Sequence, residues 1–157
     1  MRILALDLGT KCGWAVGSPT DPGPIRNGVW NFQPTKFDSA GIRFSKFEEY
    51  LAFEIAIAGI DKVVYEAVRN HMAIDAAHVY GGFMAILQAV CIKQGIPYEG
   101  VPVQTIKKHA TGKGNADKKA MVKAAIKKWK NINVTSDDQA DALHLLDYVT
   151  THKKEKG

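Results

Sequence analysis

Residues 2–10 read Arg-Ile-Leu-Ala-Leu-Asp-Leu-Gly-Thr, and this stretch decides the fold. An apolar run over 2–8, without polar alternation, is the pattern of a strand covered on both faces. Its one acid, Asp7, stands at the far end and is followed by Gly9 and Thr10. A buried carboxylate is costly unless something compensates it. The Gly/Thr/Lys sequence after it predicts a tight turn at Leu8–Cys12. Gly13–Gly17 (GWAVG) then returns as a second strand, and Gly28–Gln33 (GVWNFQ) alternates as a third, with the turn-rich SPTDPGP between them. The first thirty residues therefore read as an antiparallel meander.

Beyond the meander the hydrophobic period lengthens. Ile42, Phe47, Leu51 and Ile55 predict a helix over Ser39–Ala58, stopped by Gly59. Ile60–Glu66 reads as a strand and ends in a second acid. Ala73–Lys93 predicts a long helix closed by Gly95 and Pro97. Gly81, Gly82 and Ala85 in its middle admit close approach of another helix. Ile96–Val103 is a short strand, Gln104–Ala110 a short helix, and TGKGN a flexible loop. Asn115 or Asp117 can cap a basic helix running through Trp129. Ser136 can cap the last helix, with Gln139 as its capping-box partner. A meander followed by alternating helix and strand predicts an α/β fold with a mixed sheet and helices on its faces.

The chain has 157 residues, 46% apolar and 24% charged, with a net charge of +5. These values suit one domain with an adequate core, taken as residues 1–150 with a basic tail over 151–157. No run approaches the roughly 20 apolar residues of a membrane span, and the N-terminus lacks the features of a secretory signal. The expectation is a cytoplasmic protein with no membrane partner. Cys12 and Cys91 form no metal or disulfide framework. The charge is uneven: Lys107, Lys108, Lys113, Lys118, Lys119, Lys123, Lys127, Lys128 and Lys130 face one acid, Asp117, and Lys153, Lys154 and Lys156 close the chain. Such a segment is either a solvated helix face or a polyanion-binding surface.

Four acids stand out: Asp7, Glu66, and Asp138 with Asp141 in SDDQADALHLL. Each has a plain alternative reading, as a turn former, a strand end, or a helix N-terminal acid favoured by the helix dipole. Asp141 fits the last of these least, because it lies deeper in the helix among apolar neighbours. Spacing puts Asp138 and Asp141 on one face, and Asp137 with Asp141 is a competing pair. Together the acids suit two hard divalent ions working on a phosphodiester.

The motifs LALDLGTKCGWAV, VVYEA and DDQADALHLL, in this order, resemble those of the RuvC-like Holliday junction resolvases. That resemblance implies a ribonuclease H-like fold with a five-stranded mixed sheet, a three-stranded antiparallel meander plus two parallel strands, flanked by helices. It implies that Asp7, Glu66, Asp138 and Asp141 are catalytic and hold two Mg²⁺ or Mn²⁺ ions. It makes Lys107, Lys108, Lys113, Lys118 and Lys119 phosphate contacts, with Arg69 as a further DNA-binding candidate. The implied activity is paired, symmetric nicking of branched DNA by a homodimer that meets through the Gly81–Gly82 helix. One departure is visible: Ala67–Met72 holds no Phe, Tyr or Trp where bacterial members often carry a stacking aromatic. Three rival readings are a ribonuclease H-type or general branched-DNA and R-loop nuclease, an actin-like nucleotide-binding domain built on LALDLGT, and a non-catalytic junction-binding protein.

Overall fold

The computed structural model describes residues 1–71 and 73–155, with side chains through residue 152. Three strands open the chain, β1 (Ile3–Asp7), β2 (Lys11–Gly17) and β3 (Arg26–Asn31). They are followed by α1 (Ile42–Ala58), β4 (Lys62–Ala67), α2 (Ile74–Gln94), β5 (Tyr98–Pro102), α3 (Val103–Thr111), α4 (Lys118–Lys128) and α5 (Asp137–Glu155). The five strands form one mixed sheet in the order β3-β2-β1-β4-β5. The β1–β2 and β2–β3 pairs are antiparallel, and the β1–β4 and β4–β5 pairs are parallel. The predicted fold class holds, and RILALDLGT supplies the central strand.

Strand alternation divides the interior into two cores. Leu4 and Leu6 of β1 join Val63 and Tyr65 of β4 under α1 and α2. Ile3 and Ala5 join Val64 and Val101 on the opposite face, under α3, α4 and α5. With a period of two, Asp7 continues the Ile3–Ala5 row and Glu66 the Val64 row. Both acids therefore project to the face that α5 covers.

Local signals work as read, with adjustments. Gly59 and Gly95 end α1 and α2 in the left-handed conformation, with φ of 62° and 68°. Asp117, rather than Asn115, caps α4, its Oδ1 accepting from the Ala120 N–H at 2.8 Å. Ser136 Oγ accepts from the Gln139 N–H at 3.2 Å, as a cap should. The Gln139 side chain does not return to Ser136. Its Oε1 accepts from the Thr135 N–H at 2.9 Å, and its Nε2 donates to Asn27 Oδ1 on β3 at 2.7 Å. The polar contact that half a capping box would have made instead fastens the head of α5 to the sheet.

Helix α2 amends the expectation about apolar runs. At 21 residues and a mean hydropathy of 1.3 it is long and apolar enough to cross a membrane by length and composition. Its Tyr80, Phe83, Leu87, Val90 and Cys91 are buried in this structure. The two middle glycines have different surroundings. A Cβ on Gly82 would meet the Phe44 ring of α1 at 2.5 Å, whereas one on Gly81 would meet nothing within 4 Å. Helix α5 continues past residue 150 to Glu155, so the expected tail begins as helix. Lys156 and the side chains of Lys153 and Lys154 lie outside the described residues.

Candidate active site

The parallel strands β1 and β4 end side by side, with Leu6 paired to Tyr65, so Asp7 and Glu66 emerge together from the carboxyl edge of the sheet. Such edges are where open α/β sheets collect their ligands. Helix α5 lies across β1 and β2 on this face. It can come so close because Gly13, the antiparallel partner of Asp7, has no side chain. A Cβ there would stand 1.8 Å from the Asp138 carbonyl oxygen. Gly13, which looks in the sequence like an ordinary strand residue, is what lets the first turn of α5 settle over Asp7.

The result is a cluster of carboxylates from three distant segments. Oxygens of Asp7, Glu66 and Asp141 all lie within 4.8 Å of one another. Asp138 joins through a side-chain hydrogen bond to Asp7. Asp137 pairs instead with Lys118 at 3.3 Å, while its charge still acts on Asp138 and Asp141. Geometry thus separates two neighbours that helical spacing leaves equivalent.

The electrostatics are those of crowded like charges with too little compensation. Burial, then the charges of Glu66, Asp141 and Asp138, hold the Asp7 carboxyl well above the usual carboxylate range, and its hydrogen bond to Asp138 acts in the same direction. Burial and then Glu66, Asp137 and Asp138 push Asp141 up to about 8. Glu66 is raised by burial and Asp138, with Lys107 pulling the other way. Asp138 is raised by burial and Asp137, against its hydrogen bond from Asp7 and the charges of Lys118 and Lys11. Adjacent carboxylates that cannot all ionise share protons or bind a cation. An all-oxygen donor set of this kind fits Mg²⁺ or Mn²⁺ and not a soft metal.

The basic candidates distribute around this centre. Lys107 on α3 is half-buried and acts electrostatically on both Glu66 and Asp141. Lys118 opens α4 beside Asp137, and its charge also reaches Asp138 and Asp141. Lys118, Lys119 and Lys123 line an open groove of about 460 Å³ against Thr135, Ser136 and Asp137 at the head of α5. Lys108, Lys113 and Arg69 are exposed, the last in the segment after β4. The other residues weighed in the sequence have structural surroundings. Trp14 and Trp30 stack with centroids 5.6 Å apart, Trp129 is buried against His144, and His109 bonds Asp147 at 2.6 Å.

Tyr80 of α2 had no sequence signal. Its hydroxyl donates to the Glu66 carbonyl oxygen at 2.8 Å and accepts from the Val68 N–H at 3.1 Å, fixing the strand end that presents the Glu66 carboxylate. Only its place on the buried face of a helix could have suggested that it touches β4.

No protein-family model matches the chain, and no curated protein matches it. Solved structures do. The RuvC structure of Thermus thermophilus aligns with a TM-score of 0.75 and 16% identity, over 99% of this chain and 97% of that one. The T. thermophilus RuvC in complex with a Holliday junction substrate gives a TM-score of 0.78 and 16% identity, over 97% and 96%. The yeast mitochondrial Holliday junction resolvase gives 0.63 and 15%, over 99% of this chain and 84% of its own. Over nearly its whole length, the chain has the ribonuclease H-like fold of RuvC.

Proposed function

We propose that this protein is a divalent-metal-dependent, structure-specific endonuclease that cuts four-way DNA junctions and other branched DNA. The observation that carries this reading is the convergence of Asp7, Glu66 and Asp141 within 4.8 Å, with none of the three in an ion pair among the described residues. The likeness in fold to RuvC, one example of which was solved with a junction substrate, supports the choice of substrate.

Asp7, Glu66 and Asp141, with Asp138, would hold the metal, taken as two Mg²⁺ or Mn²⁺ ions. When bound, the metal supplies activation of the attacking water and charge neutralisation at the leaving 3′ oxygen. Lys107 stands where it meets the phosphate entering the carboxylate cluster. Lys118 and Lys119 flank the groove along α4, and Lys108, Lys113 and Arg69 extend the basic rim. Contacts of this type give affinity that falls steeply with salt. A homodimer accounts for the outer face of α2, where Ile74 is 74% and Ile92 69% exposed, and where His78, Gly81, Ala85 and Ala89 form the stripe between them. Two-fold pairing through that stripe suits paired cuts on a two-fold substrate.

The test is cleavage of an end-labelled four-way junction with Mg²⁺, with Mn²⁺ and with chelator, beside flap, duplex and RNA–DNA hybrid substrates. Paired, symmetric nicks that need metal are the expected result. Cutting confined to the hybrid would favour the ribonuclease H-type reading. Junction binding with no metal-dependent cutting of any substrate would leave only the non-catalytic one.

A further inference from the structure

Outside the carboxylate cluster, one acid of α5 gathers two other helices. The Asp147 side chain is 17% exposed, and its Oδ2 accepts from His109 Nε2 of α3 at 2.6 Å and from the Lys128 ammonium of α4. Burial alone would raise this carboxyl, but hydrogen bonds from Lys128 and then His109, with their charges, hold it below the ordinary aspartate range. Asp147 is therefore ionised at neutral pH. His109 Nε2 is then the donor whether the imidazole carries one proton or two.

These contacts put Asp147 at the foot of a ladder. Lys118 pairs with Asp137 at the heads of α4 and α5, and Lys128 pairs with Asp147 further along, at the same spacing on both helices. The two helices are thereby held parallel and in register over about 15 Å. Between the rungs His144 Nε2 donates to the Met121 carbonyl oxygen at 2.9 Å. The upper rung is open to water, with the Lys118 side chain 85% exposed, and a pair of that kind contributes little. The lower rung ends on the shielded Asp147. Helix α3 reaches the same foot. It starts directly after β5, whose Val101 is in register with Glu66. Lys107, one turn into α3, sets its charge against Glu66 and Asp141. His109 then makes the one side-chain hydrogen bond that joins α3 to α5 among the described residues. Its ring also meets the Tyr148 and His152 rings of α5, with centroids 5.5 and 5.6 Å away.

We propose that His109 and Asp147 are positioning residues for the cut: their hydrogen bond seats α3 on α5 so that Lys107 stands over the carboxylates, while Lys128 holds α4 to the same point. Neither residue touches the reacting atoms. Each acts through Lys107, because α5 carries both Asp141 and Asp147 and α3 carries both Lys107 and His109. The proposal rests on the nuclease reading above and deepens it, naming what fixes the cation of the site relative to its acids.

The experiment is a double-mutant cycle in single-turnover cleavage of a four-way junction. His109→Phe keeps a ring against Tyr148 and His152 but has no N–H for Asp147, whereas His109→Gln keeps a donor and loses the ring. His109→Phe should cut about 10- to 100-fold more slowly, the size of a misplaced catalytic group, and His109→Gln should restore most of the rate. Lys107→Ala should cost at least as much, and adding His109→Phe to it should cost hardly anything further, the signature of one shared function. Should His109→Phe fail to fold, Asp147→Asn takes its place in the cycle with the same expected result. The positioning role is overturned if His109→Phe cuts like wild type, if His109→Gln is as slow as His109→Phe, or if the penalties of the His109 and Lys107 variants multiply. If the wild type cuts no branched DNA, the nuclease reading fails first, and junction binding in chelator decides the tie separately. The salt dependence of binding should then lose about one phosphate contact in Lys107→Ala, the same in His109→Phe, and no more in the double variant. A slope that His109→Phe leaves unchanged removes the proposal.

Discussion

Glu54 and Asp141 are both acids on inward sides of helices, and the molecule treats them in opposite ways. Glu54, on α1, is 6% exposed, and Arg26 reaches across from β3 to bond its Oε1 at 2.7 Å. Asp141, on α5, stands among Glu66, Asp137 and Asp138, with Lys107 as the cation that partly offsets them, and its carboxyl is pushed up to about 8. The first arrangement is a cross-link that ties an edge strand to a helix. The second sets like charges together and lowers the stability of the metal-free protein whenever all are ionised. The chain can pair a buried acid with arginine, and among the described residues it does not do so for the carboxylate cluster, which supports the external cation proposed above.

The strongest way to break this contrast is to remove charge from the cluster. Asp7→Asn or Asp141→Asn should lower junction cutting by about 100- to 1000-fold or more, while junction binding in chelator stays largely intact. Asp137→Asn should change cutting by no more than a few-fold, because Asp137 is paired with Lys118 and acts on Asp138 and Asp141 only through its charge. Loss of binding together with cutting in the Asp7 or Asp141 variants would count against a metal role.

The pH dependence of thermal stability sharpens it. A carboxyl raised in the folded protein contributes stability that is complete below the ordinary carboxylate range and is lost as pH rises through its folded value. For Asp141 that window runs from the ordinary aspartate value of 3.8 to about 8. The melting temperature of metal-free protein should therefore fall between pH 5 and pH 8.5. Asp141→Asn should flatten the fall, and Mg²⁺ at pH 8 should reverse it by binding the ionised carboxylates of the folded state. A metal-free melting temperature that rises across this range would remove the idea of uncompensated carboxylates.

The smallest effect belongs to the paired acid. Arg26→Ala leaves Glu54 without its partner. Since the Arg26 side chain is 54% exposed and water can reach part of the site, the cost should be about 1–2 kcal/mol, with a melting temperature lower by roughly 3–6 °C. Cutting per folded molecule should be unchanged. A large loss of activity there would show that the two regions are coupled.

Much of the fold is legible in sequence because strand and helix periods are local properties. RILALDLGT announces a central strand, VVYEA a second one, and the period of two alone places Asp7 and Glu66 on one face once the strands are known to be neighbours. Gly59 and Gly95 mark helix ends because each must adopt a left-handed backbone. What could not be read depends on neighbours far away in the chain. Gln139 fits a capping box by spacing, yet its side chain goes to Asn27, 112 residues distant. Gly81 and Gly82 are equivalent in sequence, but one faces open space and the other the Phe44 ring.

By itself the sequence determined the elements, a mixed sheet with helices on its faces, and a short set of candidate acids in which Asp137 and Asp138 still competed. Only the tertiary structure decided that Asp138 rather than Asp137 meets Asp7 and that Gly13 makes room for it. The reason is physical. Hydrophobic period and backbone preference act over a few residues, whereas a bare Cα under a helix, or a carboxylate without its cation, is defined only by what packing brings within a few ångströms.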